Sequence, residues 1–322
     1  MKGFRTVFRF ELRNLLSKRG IWVATILVVT MVFFLACIPR FMDTAASSQR
    51  NGEGQESTDT SVIDRLQESR NLDRKGAEGA LHDKTDVGTA VGMILMNIML
   101  IAITGYSVLI INAMAEEKTF QTVELLVTST SPKSLILGKV LASATLAVIQ
   151  LAIVVLAGVL GVWANGSRSP ISLAEATGIA PQGFACFFAF AIPGLLFYVF
   201  MLAAEASLMT NVDGRANAFG IGYTTFIVSY TICACARVFP EKTGSKVLRV
   251  MSILPCSSPF AMVLRYFTTT VSIGDLSVSL VLLVAATILV IKLSIQIYRL
   301  GILNYGNKIS VFKAIGLAIR KN

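Results

Sequence analysis

The sequence predicts an all-α membrane protein with six transmembrane helices. An amphipathic N-terminal helix lies at the interface, and re-entrant helices lie on the outer side between spans five and six. Three observations carry this expectation. Of 322 residues, 54% are hydrophobic and 15% charged, an inversion of what a soluble domain of this length needs at its surface. The apolar residues are gathered into six runs: 21–38, 87–115, 140–163, 184–209, 219–236 and 276–297. Each approaches the roughly 20 residues, at about 1.5 Å per residue, that a spanning helix needs. The same runs exclude a β-barrel, whose strands are about 10 residues of alternating polarity.

Residues 2–19 precede the first span. Phe4, Val7, Phe8, Leu12, Leu15 and Leu16 recur at intervals of three and four, and Arg5, Arg9 and Arg13 occupy another face. That pattern predicts a helix anchored in the membrane interface. No small-x-small cleavage site follows the first apolar run, so the sequence is not expected to carry a cleavable signal peptide. Residues 40–86 are rich in Gln, Ser, Asp, Glu and Arg and too poor in apolar side chains for a core, so they read as an outer loop with some helix near 61–74. The single histidine, His82, falls there without an evident partner.

Between spans two and three, residues 115–138 form a charged segment. It reads as a short polar helix stopped at Ser131-Pro132, with Lys133 to Lys139 leading into span three. Residues 164–182 are expected as a short outer loop. Pro193 is expected to kink span four, and Thr210 to Arg215 to form a tight inner turn. Within 238–275, the apolar stretch 250–264 is too short and too interrupted, by Pro255 and Pro259, to span. Two short helices that dip into the outer leaflet and break near Pro255 are expected.

The net charge of +10 does not point to nucleic acid once it is placed on this topology. With both termini cytoplasmic, the inner side and its span ends carry 16 Lys/Arg against 6 Asp/Glu, while the outer side carries 13 of each. This is the positive-inside pattern, combined with attraction to anionic headgroups. The five cysteines lie in or beside apolar runs. The Cys233-Cys235 pair lacks the further ligands of a metal site, so all five read as small buried hydrophobes.

Three regions resemble the ABC type-2 export permeases, in particular the branch that includes sodium-efflux permeases. One is 116–139, with Glu117, Thr122, Glu124, Leu125, Leu126, Ser131, Pro132, Gly138 and Lys139. Another is Leu254 to Phe260 followed by Arg265, and the last is Tyr298 to Gly306. The outer loop 40–86 is shorter than that branch leads one to expect, a departure that concerns substrate rather than architecture. The resemblance implies a single permease domain over 1–322 in the plasma membrane, working with a second permease copy or homologue and two ABC ATPase subunits.

The chain has no G-x-x-x-x-G-K-[ST], since Lys133 stands where the first glycine belongs and Val140 follows Lys139. ATP and Mg are therefore expected on the partner ATPases, with no cofactor on this chain. The resemblance makes 115–138 a coupling loop. In it, Glu116, Glu117 and Glu124 offer charge and Phe120, Val123 and Leu125 apolar anchors, with Thr122 between them.

Glu205 is the only acid well inside a span. It is part of a cation or substrate entry path, or it caps its own helix region or pairs with Arg215. Asn97 and Gln150 either line the same path or hydrogen-bond between helices. Pro255, Pro259, Phe260 and Arg265 belong to the expected outer gate, where Arg237, Lys242, Lys246 and Arg249 would cluster.

Substrates compatible with this reading are sodium, peptides, drugs and lipid-linked molecules. An ion-coupled carrier acting alone would need several buried ionisable groups, and only Glu205 qualifies. An intramembrane enzyme would need a metal cluster, a Ser/His or Ser/Lys pair, or paired acids in the membrane. No span contains histidine, and no second acid accompanies Glu205.

Overall fold

The structure, a computed structural model, describes residues 2–18, 20–23, 25–30, 32, 88–89, 91–114, 131–165, 173–208, 220–236, 241–303 and 316, and within these it is all helical. Its helices are α1 (Lys2–Ser17), α2 (Gly20–Thr30), α3 (Val91–Met114), α4 (Pro132–Asn165), α5 (Leu173–Ser207), α6 (Ile221–Cys235), α7 (Glu241–Ile253), α8 (Ser258–Thr268) and α9 (Ile273–Leu303). Four of them, α3, α4, α5 and α9, are long and apolar enough to cross a membrane. The runs expected at 21–38 and 219–236 appear as the shorter apolar helices α2 and α6. The expected outer loop 40–86, the inner turn 210–215 and the segment 115–130 lie outside the described residues.

Helix ends differ from the hydropathy boundaries, because local chemistry sets them. Helix α4 begins at Pro132, eight residues before the expected span. Proline suits the first helical position, where its missing N–H has no helical partner, and Ser131 accepts from Ser134 N–H through both its carbonyl (2.9 Å) and its hydroxyl (3.4 Å). At the other end α4 runs to Asn165 and α5 starts at Leu173, so both helices reach into the segment expected as a loop over 164–182. Helix α5 continues through Pro193, which removes one backbone donor without ending the helix.

Helix α1 packs against α4 rather than lying only on lipid. Val7, Phe8 and Leu12 are partly buried and Leu15 is buried, while Arg5, Arg9 and Arg13 are exposed. The contact is close because Gly138 has no side chain: a Cβ there would stand 2.7 Å from Val7 Cγ1. Beside it, Lys139 Nζ lies 3.5 Å from Glu11 Oε1. Further along α4, Gly158 meets Val32. The 20 residues from Gly138 to Gly158 correspond to about 30 Å of helix, so residues 7 and 32 touch α4 one hydrocarbon thickness apart.

Helices α5 and α9 lie side by side in the same direction. The Thr287 hydroxyl donates to the Pro193 carbonyl (3.2 Å), the Ser294 hydroxyl donates to the Phe200 carbonyl (2.8 Å), and Gly301 lies against the Ser207 carbonyl. Both sides of this seam advance by seven residues, the spacing at which two helices stay in register. Small and hydroxylated residues at the contact let the backbones approach, as in membrane helix pairs. Because α5 ends and α9 begins at opposite ends of this pair, the intervening chain must travel the length of the bundle. Helix α6 starts beside Glu205 near the end of α5, and α8 packs beside Gly183 near its start. Helix α6 thus starts at the Glu205 end, and its Tyr230 packs against Phe260 of α8.

Helices α7 and α8 are two short helices joined by a turn at Leu254–Ser257, the break expected near Pro255. Helix α8 is buried over Ser258–Arg265, wedged among α5, α6, α7, α9 and the start of α3. Its Phe267 fits against Gly88, Gly92 and Gly183, and its Pro259 against Gly194. Gly88 and Gly92 therefore both face α8.

Candidate functional site

The polar side chains of the bundle fall into three groups, and the first surrounds Glu205. This residue is 8% exposed, two residues before the end of α5. Its Oε1 accepts the backbone N–H of Gly222 at 2.6 Å. Helix α6 has Gly220 as N-cap and no side-chain cap of its own, so the carboxylate of α5 caps α6 from outside, where the N-terminal dipole favours negative charge. A Cβ at Gly220 or Gly222 would stand 3.0 Å from Oε2, so glycine at both positions lets the carboxylate in. Oε2 itself has no hydrogen-bond partner among the described residues. Arg215, the partner expected for Glu205, lies outside them.

The second group consists of two bonds across α3. Asn97 Nδ2 donates to the Met93 carbonyl at 2.8 Å within α3, and Asn97 Oδ1 accepts from the Tyr230 hydroxyl of α6 at 2.8 Å. Gln150 Oε1 of α4 accepts from the Tyr106 hydroxyl at 2.7 Å. The two expected pathway residues thus each join a pair of helices. They differ in setting, because Asn97 stands exposed on the outside of the subunit while Tyr106 is buried.

The third group lies at the opposite end of the bundle from Glu205. Arg265 is 5% exposed; its Nη2 donates to Asp275 Oδ2 at 2.5 Å and its Nη1 to the Ser252 hydroxyl at 3.1 Å, tying α8 to α9 and α7. The Ser279 hydroxyl donates to the Ser252 carbonyl, closing the same junction. Phe260 is fully buried in an aromatic cluster, with ring centroids 6.0 Å from Tyr198, 5.7 Å from Phe226 and 5.9 Å from Tyr230. The Tyr198 hydroxyl donates to the Cys256 carbonyl, fixing the turn that contains Pro255. Within one subunit, Pro259, Phe260 and Arg265 are packed against other helices.

Glu116, Glu117, Phe120, Thr122, Val123, Glu124 and Leu125 lie outside the described residues. Their flanks are placed: Met114 is buried at the end of α3, and Ser131 opens α4. No cluster of His, Cys, Asp or Glu able to hold a metal occurs among the described residues.

Comparison with known proteins decides the family. A family model described as "ABC-2 family transporter protein" matches residues 43–295. The chain belongs to the ABC-2 transporter family. As a member it is a membrane protein of the ABC type-2 permease family.

Two curated relatives are themselves uncharacterized. MJ1024 of Methanocaldococcus jannaschii is 22% identical over 224 residues, covering 70% of this chain and 52% of the relative. YhaP of Bacillus subtilis is 23% identical over 249 residues, covering 76% and 58%. The chain therefore spans little more than half the length of the curated relatives it matches. No solved structure matches it.

Sequence reasoning missed the seven-residue seam of α5 and α9, the Arg265–Asp275 link and the Glu11–Lys139 pair. The seam was visible as Thr287, Ser294 and Gly301 at equal spacing, but only with Pro193, Phe200 and Ser207 as counterparts does the spacing acquire meaning. Nothing in sequence spacing foretold that Glu205 would cap a neighbouring helix.

Proposed function

We propose that this chain is the permease subunit of an ATP-driven ABC exporter, a single domain over 1–322 that pairs with a second copy or a homologue and is energised by two ATPase subunits carrying ATP and Mg. The supporting observation is the parallel seam of α5 and α9. It supports a reading in which α6 carries the chain from one end of the bundle to the other. With α2, α3, α4, α5 and α9 this makes six crossings, and it sets α7 and α8 opposite the end where Glu205 lies. Helix α6, at 15 residues, measures about 22 Å and fits such a crossing where the bundle rather than lipid covers its ends.

In this reading both termini face the cytoplasm of the cell that bears the protein in its plasma membrane. The segment 115–130 leaves α3 and re-enters α4 on that side. It docks on an ATPase through Glu116, Glu117 and Glu124, with Phe120, Val123 and Leu125 filling an apolar groove and Thr122 at the contact. Closure of the ATPase pair then moves α3 and α4 together. The re-entrant pair α7–α8, with Pro255, Pro259, Phe260 and Arg265, forms the exit gate on the outer side.

Asn97 and Tyr230 mark the face turned toward the second subunit. An exposed carboxamide on α3, bonded to a half-buried phenol of α6, is unfavourable against lipid and suits a subunit contact or water-lined path. The resemblance to the sodium-efflux branch makes Na+ the first substrate to test.

Copurification tests the coupling. Coexpressed with its ATPase, the parent chain is expected to retain the ATPase and to alter its ATP hydrolysis, whereas Glu117→Lys with Glu124→Lys loses both effects. An unchanged complex with unchanged hydrolysis contradicts the proposal. ATP-dependent uptake of radioactive Na+ into inverted membrane vesicles separates sodium from the other substrate classes.

A further inference from the structure

A cavity of about 360 Å³ opens between α2, α3 and α4, lined by Ile21, Val28, Ile101 and Leu109, with Lys18 at one end and the Tyr106–Gln150 pair in its wall. Its size falls within the range of small-ligand sites. Two glycines make the space. A Cβ added at Gly20 or at Gly105 would meet nothing within 4 Å, so both stand over open volume rather than over a close backbone contact. The cavity is mainly apolar, and its one deep polar pair is mutually satisfied, the phenol donating to the carboxamide oxygen, so no wall group there demands water.

The charge at its mouth is cationic. Lys18 is half-buried in the turn between α1 and α2, and no described residue pairs with its ammonium. The neighbouring surface fits a membrane interface: Trp22 is 46% exposed, with its indole N–H donating to the Leu16 carbonyl at 2.7 Å, and Arg9 and Arg13 are exposed along α1. From Lys18 to Val28 the chain advances ten residues, at most about 15 Å as helix and half the thickness of a hydrocarbon core. Cationic mouth, apolar shaft and one-leaflet depth together match one kind of ligand.

We infer that this cleft is a binding site for an anionic phospholipid from the leaflet that α1 contacts, the phosphate pairing with Lys18 and one acyl chain lying along Gly20, Ile21, Val28, Ile101 and Gly105. Occupancy ties α2 to the α3–α4 pair. The mouth of the site, at residues 18–28, precedes the family-matched region, which begins at residue 43.

The chain has two tryptophans, so Trp163→Phe leaves Trp22 at the mouth as the sole indole reporter. This variant is reconstituted in vesicles of phosphatidylcholine with a fixed fraction of brominated phosphatidylglycerol, or of brominated phosphatidylcholine, and quenching of Trp22 is compared. The site predicts local enrichment of the anionic over the zwitterionic lipid by about fivefold, the factor one basic side chain contributes at an anionic surface. Lys18→Gln abolishes that preference, and so does Gly105→Leu, which fills the open volume without changing charge, while Arg9→Gln retains it. Equal quenching by the two lipids overturns the inference. So does a preference that survives Lys18→Gln or Gly105→Leu, or one that Arg9→Gln also removes, since each of these marks a diffuse attraction to α1.

Discussion

At the scale of single residues, the least expendable polar groups hold helix ends and junctions. Glu205 supplies the cap that α6 lacks, and an N–H left unpaired in a buried site costs about 1–3 kcal/mol. Glu205→Ala is expected to lower the thermal midpoint of the purified protein, whereas Glu205→Gln, which keeps a carbonyl oxygen for Gly222, retains most of it. Equal loss in both variants would indicate that charge, not the cap, is what matters.

At the opposite end the two partners of one ion pair are unequally buried. The side chain of Arg265 is 6% exposed and that of Asp275 is 40% exposed. Asp275→Ala therefore leaves a buried guanidinium without its counter-ion, at about 3 kcal/mol. Arg265→Met leaves a half-exposed carboxylate and preserves the aliphatic stem, at about 1 kcal/mol. Thermal unfolding in detergent checks the order, and the reverse order would contradict the burial seen here.

Among single helices, hydropathy located every apolar element but misjudged their ends. Apolar runs report which residues avoid water, whereas the start of α4 at Pro132 and the start of α5 at Leu173 are set by backbone chemistry and helix propensity. The break at Pro255 was readable because two prolines interrupt one short apolar stretch. The burial of Phe260 was not, because it depends on Tyr198 and Tyr230, which are remote in sequence. The Asn97 and Gln150 readings stayed divided for the same reason, since their partners, Tyr230 and Tyr106, lie on other stretches of the chain or an adjoining helix.

The seam between α5 and α9 gives this scale its prediction. Gly301 stands against the Ser207 backbone with no room for a side chain, so Gly301→Leu is expected to separate the two helices and to sharply reduce monodisperse protein in size-exclusion chromatography. Ser294→Ala removes one interhelical hydroxyl bond and costs only about 0.6 kcal/mol, leaving the elution profile unchanged. A Gly301→Leu protein that elutes like the parent would refute the close seam.

For the whole molecule, composition settled the solvent and the class, and the ordered motifs led to a family that the match over 43–295 establishes. Direction of transport, substrate and subunit number are properties of an assembly, and one chain encodes only its share of the contacts. What the chain does carry is a polarity: basic α1 and the Glu205 cap at one end of the bundle, and α7 with the buried α8 at the other. The proposed mechanism depends on the segment 115–130 emerging at the first of these ends and on that end facing the cytosol.

Cysteine accessibility measures this most directly. In a cysteine-free background, Gln121→Cys and Ser17→Cys are expected to react with a membrane-impermeant maleimide only after cells are permeabilised, while Thr269→Cys, just beyond α8, reacts in intact cells. Labelling of position 121 in intact cells would contradict the account, because no cytosolic ATPase could then reach the loop.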